Sequence, residues 1–391
     1  MKSFKCKNNI VYCWSDTLDN ITRKQVENIC ALPFVFHHLA LMPDVHAGVG
    51  MPIGGVLPTM DVVIPNAVGT DIGCGMCAVK TNFRVSDQRI RQIMLTRVVK
   101  RIRNIIPLGF NHHNILQDEE LMPQGFDIDT LHIVSREYRS ALKQIGTLGG
   151  GNHFIELQQD EDGWLWVMLH SGSRDLGKQV CDYYNKKAMQ LNEQYYSIVS
   201  SNYGMAFIPS RTKEFRDYWE EMRYCIEFAK CNRALMMDII QNAFTCFCGN
   251  IQFDSKIDII HNYASIEKHF GQSVIVHRKG AIRVPKGEIG IIPGSQGTCS
   301  YIVEGLDNPY SFCSASHGAG RAMSRLDAKR KLNLDHEIEQ MNRKGIIHNM
   351  NSINDLDEAS SAYKDIDLVM ANQADLVKIV KKLTPVAVIK G

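Results

Sequence analysis

Five places in this chain set a ligand-type side chain where an apolar run meets a glycine-rich or polar turn. They are Asp71 with Cys74 in Gly-Thr-Asp-Ile-Gly-Cys-Gly, His153 in Gly-Gly-Gly-Asn-His-Phe, His170 in Val-Met-Leu-His-Ser-Gly-Ser-Arg, His261 in Asp-Ile-Ile-His-Asn and His317 in Ser-His-Gly-Ala-Gly-Arg. Strand ends that run into such turns are where α/β scaffolds build sites. Together the five read as a metal centre beside a nucleotide pocket. Asp71 and Cys74 lie between Gly69, Gly73 and Gly75, a spacing that lets a carboxylate and a thiolate face one point. Thiolate and imidazole suit Zn, Cu, Fe, Ni or Co, and a carboxylate adds Mn and Mg. One thiolate can also bridge two ions in a two-ion centre. Two other readings of Cys74 stand beside this one: a small buried hydrophobe, or a redox partner of Cys77 in Cys-x-x-Cys. A histidine taken alone is more often a core or surface group than a ligand. The strand-end setting of His153, His170 and His261 shifts them toward metal binding. His37, His38, His112, His113, His269, His277 and His348 lack that setting and read as structural.

Four small-residue turns, 149–152, 171–174, 293–297 and 317–321, can aim backbone N–H groups at an anion. Tight strand connections would look the same. Two of the turns end in Arg174 and Arg321, and arginine clamps phosphate bidentately. No Gly-x-x-x-x-Gly-Lys-Ser/Thr loop and no Gly-x-Gly-x-x-Gly fingerprint occurs, and the Lys-x-Asp-Gly signature of lysine-nucleophile ligases is missing. A phosphoryl or nucleotidyl intermediate therefore needs another nucleophile. His317, flanked by glycine and followed by Arg321, is the best candidate.

The elements that must position these groups follow from pattern. Residues 1–85 read as strands and glycine-rich turns. A helix capped by Ser86-Asp87 and running to about Ile106 has Ile90, Met94, Val98 and Ile102 on one face. Its other face carries Arg89, Arg91, Arg97, Lys100, Arg101 and Arg103, either a solvated face or a phosphate-tracking surface. Helical pattern recurs at 130–145, 177–197 and 212–248. Strands are expected at 164–169, 257–260, 274–276, 281–284, 288–292 and 301–304. The tail reads as a polar linker at 342–361, a helix near 371–383 and a final strand, 385–389. Because the candidate site residues run from 71 to 317, with Lys390 at the end, a shared site would make residues 1–391 one mixed α/β domain with a helical insertion near 177–250.

The chain has 391 residues, a formal net charge of +2 and 12 cysteines. No global basic field announces nucleic acid, so anion binding must come from local patches. Without a signal peptide the cysteines read as mostly reduced thiols of a soluble cytoplasmic protein, and no stretch has the ~20 apolar residues of a membrane span.

Pro43-Asp44-Val45-His46, Gly69–Met76, Gly146–Gly149, Gly151–Glu156, Leu169–Arg174, His261-Asn262-Tyr263, Pro293-Gly294-Ser295, Ser316–Arg321, Ala362–Asp365 and Lys390-Gly391 together resemble the RtcB-type RNA-splicing ligases over nearly the whole chain. The resemblance implies antiparallel sheets around a deep central cleft with peripheral helices. It implies a GTP-dependent ligase joining RNA 3′-phosphate or 2′,3′-cyclic phosphate ends to 5′-hydroxyl ends, in tRNA splicing or RNA repair. A histidine, here His317, takes guanylate from GTP, passes it to the RNA 3′-phosphate, and the 5′-hydroxyl displaces GMP. Two divalent ions, typically Mn²⁺, map to Asp71, Cys74 and His153, and to Cys74, His170 and His261. Guanylate contacts map to Asn152, His153, Phe154, Ile155, Glu156, His261, Asn262, Pro293, Gly294, Ser295, Gln296, Ser300, the turn His317, Gly318, Ala319 and Gly320, and Tyr363 and Lys390. Asp44 resembles a residue near the cyclic-phosphate or ligation step, while Arg174, Arg321 and Arg325 would hold RNA phosphates. Gln296 stands where methionine is common. An archease-like activator is a further partner the family brings into view. The competing readings are a metal-dependent RNA-end phosphodiesterase or phosphatase without guanylylation, a non-catalytic RNA-binding protein, and a Cys-x-x-Cys oxidoreductase.

Overall fold

The computed structural model describes residues 1–84, 88–195, 197–249 and 251–391. Short apolar runs punctuated by Gly and Pro become strands of two large sheets. The six-stranded sheet has the order Lys2–Cys6, Asn9–Cys13, His38–His46, Ile53–Thr59, Gln272–Lys279, Asn262–His269. The seven-stranded sheet runs Ile257–Ile260, Gly75–Lys80, Leu165–Ser171, Phe154–Asp160, Val377–Lys390, Ser300–Gly305, Ile289–Ile292. Every neighbouring pair in both sheets is antiparallel except Asn9–Cys13 with His38–His46. The edge strands Ile257–Ile260 and Ile289–Ile292 of the larger sheet meet, so that sheet nearly closes into a barrel. His261 is the single residue between a strand of one sheet and a strand of the other.

Helices cover the barrel. Gln88–Ile105 lays Leu95, Val98 and Ile102 against Met236, Ile240 and Phe244 of Lys213–Cys248 and against Val79, Val167 and Ile389 of the sheet. His132–Gln144, Arg174–Gln194 and the first half of Lys213–Cys248 share a second apolar cluster that reaches Ile72 in the Asp71–Cys74 turn. A helix interior of this kind draws its stability from the buried stripe rather than from propensity. The expected cap Ser86-Asp87 lies outside the described residues. No described helix is long and apolar enough to cross a membrane.

Three expectations need correction. Residues 1–85 contain a helix, Asn20–Ile29, whose start is fixed by the Asp19 carboxylate accepting from Thr22 N at 2.9 Å. The tail helix sits earlier, at Ile366–Asn372, and 377–383 belongs to the 14-residue strand Val377–Lys390. There Val377, Ile379, Val380 and Leu383 complete a sheet between two waiting strands, and pairing on both edges outweighs an ambiguous period. Pro385 is accommodated at a register shift. The 342–361 stretch is not a bare linker: it folds into two short 3₁₀ turns, Ile353–Glu358 and Ser360–Ala362, that deliver Glu358 to the cleft.

Candidate metal centre and nucleotide cleft

Each donor sits on a rigid element. Asp71 and Cys74 occupy the turn before Gly75–Lys80, His170 is near the end of Leu165–Ser171, and His153 immediately precedes Phe154–Asp160. Register brings them together, because His170 pairs across with both Met76 and Phe154. The His261 N–H donates to the Cys74 carbonyl at 2.9 Å, which pins the crossover between sheets onto the same turn.

The donors converge. Cys74 Sγ lies 3.4 Å from His153 Nε2 and 3.2 Å from His170 Nε2. His153 Nε2 is 2.9 Å from Asp71 Oδ2, and His170 Nε2 is 3.3 Å from His261 Nε2. One donor atom from each of Cys74, His153 and His170 falls within a 4.8 Å cluster. His153 Nδ1 reaches the Leu148 carbonyl at 3.0 Å and His170 Nδ1 the Asn152 carbonyl at 3.2 Å. A carbonyl only accepts, so each Nδ1 carries a proton; this leaves His170 Nε2 its lone pair for the thiol, while His153 Nε2 is shared between the thiol and the Asp71 carboxylate. That is the arrangement a metal ion requires. Burial and neighbouring imidazoles hold His170 and His261 well below the ordinary histidine range, in the neutral form that ligates. Burial and the adjacent Asp71 hold the Cys74 thiol protonated; a bound cation reverses that. Close approach explains one glycine: a Cβ on Gly172 would overlap the Asp71 carboxylate.

Beneath these turns lie residues that pattern reading missed. Asn232 Oδ1 accepts from Gly146 N at 2.7 Å and Thr147 N at 3.1 Å, and its Nδ2 donates to the Thr147 and Gly172 carbonyls at 3.2 Å. Arg233 is fully buried; it donates to the Gly73 and Ser171 carbonyls at 3.0 Å each and to Asp258 at 2.6 Å. Two adjacent residues of one helix thus hold three site turns at once.

Beside the donors opens a cleft of about 850 Å³. His317 faces it from just after Ser314–Ser316, and its Nδ1 donates to Asp44 Oδ2 at 2.7 Å, as does its backbone N–H at 3.2 Å. Asp44 is fully buried, and its Oδ1 has no hydrogen-bond partner among the described residues. The imidazole is thereby oriented with Nε2 left over, and its ring stands 4.8 Å from that of His261. The geometry is that of a nucleophile backed by an orienting carboxylate.

Of the residues singled out by sequence, Asn152, Phe154, Glu156, His170, Pro293, Gly294, Ser295, Gln296, His317, Gly318, Ala319, Gly320, Arg321, Tyr363 and Lys390 line the cleft, as does Arg325. Ile155 does not: strand alternation turns it into the core beneath. Ser300 stands behind the wall, accepting from Gln158 and from Gly294 N, and Asn262 braces the metal turn through the Asp71 carbonyl. Arg174 flanks the donors with φ +60°, its Nε 3.2 Å from Thr147 Oγ1. Such a φ in a non-glycine residue costs about 1–3 kcal/mol, which the surrounding contacts must offset.

Sequence reasoning also missed Glu358. Buried at 4% side-chain exposure, it lies 2.9 Å from Arg325 and 3.3 Å from Arg321, and binds the Tyr363 hydroxyl. Lys390 Nζ is 3.9 Å away. Its segment reads as polar linker, so only the folded chain reveals it. Deeper in the wall, burial pushes the Glu156 carboxyl up to about 8, against the hydrogen bond from Gln158 and the charge of Lys390. The unfolded carboxyl releases its proton near pH 4.5 and the folded one near 8, so stability is lost as pH rises through that window. Glu156→Gln is expected to gain stability over the parent chain progressively from pH 5 to pH 8. Parallel melting curves across that range would contradict this burial effect.

Comparisons with known proteins identify the family. The family model described as tRNA-splicing ligase RtcB matches residues 25–128 and 123–391. The chain is 37% identical over 389 residues to the RNA-splicing ligase RtcB of Escherichia coli K12, covering 94% of each chain. It is 31% identical to the tRNA-splicing ligase RtcB of Archaeoglobus fulgidus, covering 94% of this chain and 90% of that one. Against the RtcB homolog 1 of Entamoeba histolytica it is 30% identical, with 94% and 83% covered. With its donor cluster, cleft and matched sequence in hand, the chain belongs to the RtcB family of RNA-splicing ligases.

Proposed function

We propose that this RNA ligase joins a 3′-phosphate or 2′,3′-cyclic phosphate RNA end to a 5′-hydroxyl end, using GTP, and that residues 1–391 act as one ligase domain. The observation that carries the reading is His317, held by Asp44 on Nδ1 between the donor cluster and a wall bearing Glu156 and Lys390. His317 Nε2 attacks the α-phosphorus of GTP; the N–P bond forms as the bond to the β-phosphate oxygen breaks and pyrophosphate leaves. Asp44 acts as a positioning residue, keeping the proton on Nδ1 and stabilising the positive charge that the ring gains as the N–P bond forms. An RNA 3′-phosphate oxygen then takes the guanylate and frees the imidazole. The 5′-hydroxyl oxygen attacks the 3′-phosphorus, GMP departs, and the hydroxyl proton passes to a base or solvent. A cyclic end is first opened by water. Glu156 and Lys390 present an acceptor and a donor to the guanine edge, and the 293–296 and 317–320 turns offer N–H groups to its phosphate. Arg174, Arg321 and Arg325 hold RNA phosphates.

Asp71, Cys74 and His153 would hold one divalent ion and Cys74, His170 and His261 a second, Mn²⁺ being the family's usual choice. When bound, the ions neutralise charge developing on the transferring phosphoryl group. Cys74→Ala is therefore expected to lower the content of both ions, as measured by elemental analysis after dialysis against Mn²⁺. Full occupancy of either ion in that variant would remove the bridging thiolate.

The reading is tested by supplying RNA labelled at its 3′-terminal phosphate with a 5′-hydroxyl partner, GTP and Mn²⁺. The label is expected in a new internal, phosphatase-resistant linkage. Release of label as free phosphate, with no joined product, would instead favour a metal-dependent phosphatase acting on RNA ends.

A further inference from the structure

We infer that the exposed basic face of the helix Gln88–Ile105, together with Phe110, forms a track that carries single-stranded RNA to the cleft past Arg174. The inference rests on RNA as substrate and is independent of the guanylate chemistry. Among the described helices of seven or more residues, this is the only one without an Asp or Glu, and it carries six Arg or Lys. Arg97, Lys100, Arg101 and Arg103 are all exposed, and none of them has a carboxylate within ion-pair distance among the described residues. Arg97 sits one turn from both Lys100 and Arg101, and Lys100 one turn from Arg103, so the charges share a face opposite the buried Leu95, Val98 and Ile102. An isolated charge run is usually just solvated. Here unneutralised charge of one sign is complementary to a polyanion that the protein must bind.

The helix also points somewhere. After its last turn the chain passes through Pro107, whose carbonyl accepts from Leu148 N at 3.0 Å, and Gly109, whose N–H donates to the Gly149 carbonyl at 3.1 Å. Arg174 reaches the Gly109 carbonyl at 3.5 Å. The basic face is thus tied to the glycine turn that leads into His153. Between the two, Phe110 is 98% exposed, an aromatic ring turned almost wholly to solvent. Basic residues that follow a backbone, with an aromatic face for a base to stack on, are the two parts of a single-strand binding surface.

The test is fluorescence anisotropy with two 3′-phosphate RNAs, one of about 6 and one of about 20 nucleotides, so that only the longer can span cleft and helix. Wild-type protein is expected to bind the longer more tightly. Arg97→Ala/Lys100→Ala/Arg101→Ala should weaken the longer RNA at least roughly tenfold, lower its log–log salt slope by about 2, and leave the shorter unchanged. Phe110→Ala should weaken the longer roughly tenfold with little change in slope. All substituted positions are surface-exposed, and unchanged melting curves would confirm intact folds. Equal loss for both RNAs would mark a general charge effect and overturn the inference. So would no loss for the longer RNA, or a wild-type protein that does not distinguish the two. Failure of wild-type protein to bind the shorter RNA would count against the cleft reading instead.

Discussion

The His317→Ala variant is expected to form no covalent guanylate while keeping its metal content close to that of the parent chain. The asymmetry follows from where the side chain stands. His317 contacts Asp44 through Nδ1 and its ring stands tilted 4.8 Å from that of His261, but it donates no atom to the Cys74, His153, His170 cluster. Among the described residues, its removal takes the only imidazole of the cleft that has an orienting carboxylate and an uncommitted Nε2. Loss of a nucleophile that acts as part of a unit typically removes several orders of magnitude of rate. Asp44→Asn is expected to be milder and different in kind: the ring remains, but an amide can stabilise the cationic imidazole less well than a carboxylate does. A covalent guanylate persisting in His317→Ala would move the nucleophile elsewhere.

Arg233→Met should lower folding stability by about 3–5 kcal/mol, the range for removing one partner of a buried ion pair. Methionine fills much of the same volume, so the loss is mainly polar. The Asp258 carboxylate loses its 2.6 Å partner, and the Gly73 and Ser171 carbonyls lose their donor. Those carbonyls belong to the two turns that carry Cys74 and His170 toward each other. The variant is therefore expected to bind metal more weakly than its residual folded fraction explains. Urea unfolding with and without Mn²⁺ checks both statements. A change below about 1 kcal/mol, the scale of an ordinary single hydrogen bond, would mean that Arg233 is not the strut it is taken for.

The donors and the cleft turns could be read from sequence because their signal is local: a strand end, a glycine turn and a ligand-type residue stand side by side, as at His153 and His317. Arg233, Asn232 and Glu358 carry no such signal. Arg233 is one more arginine in a 36-residue helix until it meets a carbonyl 160 positions earlier. Glu358 lies in a polar stretch whose short turns have no period to detect. The pattern of the tail misleads for a related reason. Val377–Leu383 fits a short helix or a strand about equally, and what decides is the presence of Ser300–Gly305 on one edge and Phe154–Asp160 on the other. The helix Asn20–Ile29 did carry a local mark, the Asp19 cap, which the surrounding strand-like runs obscured. Ile155 shows the opposite error, where a contiguous motif hides the alternation that turns every second strand residue away from the site.

The most direct measurement of the central claim is incubation of the purified protein with Mn²⁺ and GTP labelled at the α-phosphate, followed by a denaturing gel. A labelled protein band that is lost in acid, as a phosphoramidate on His317 must be, is the predicted result. Metal-loaded protein that stays unlabelled, with and without RNA ends present, would contradict a histidine-guanylate route.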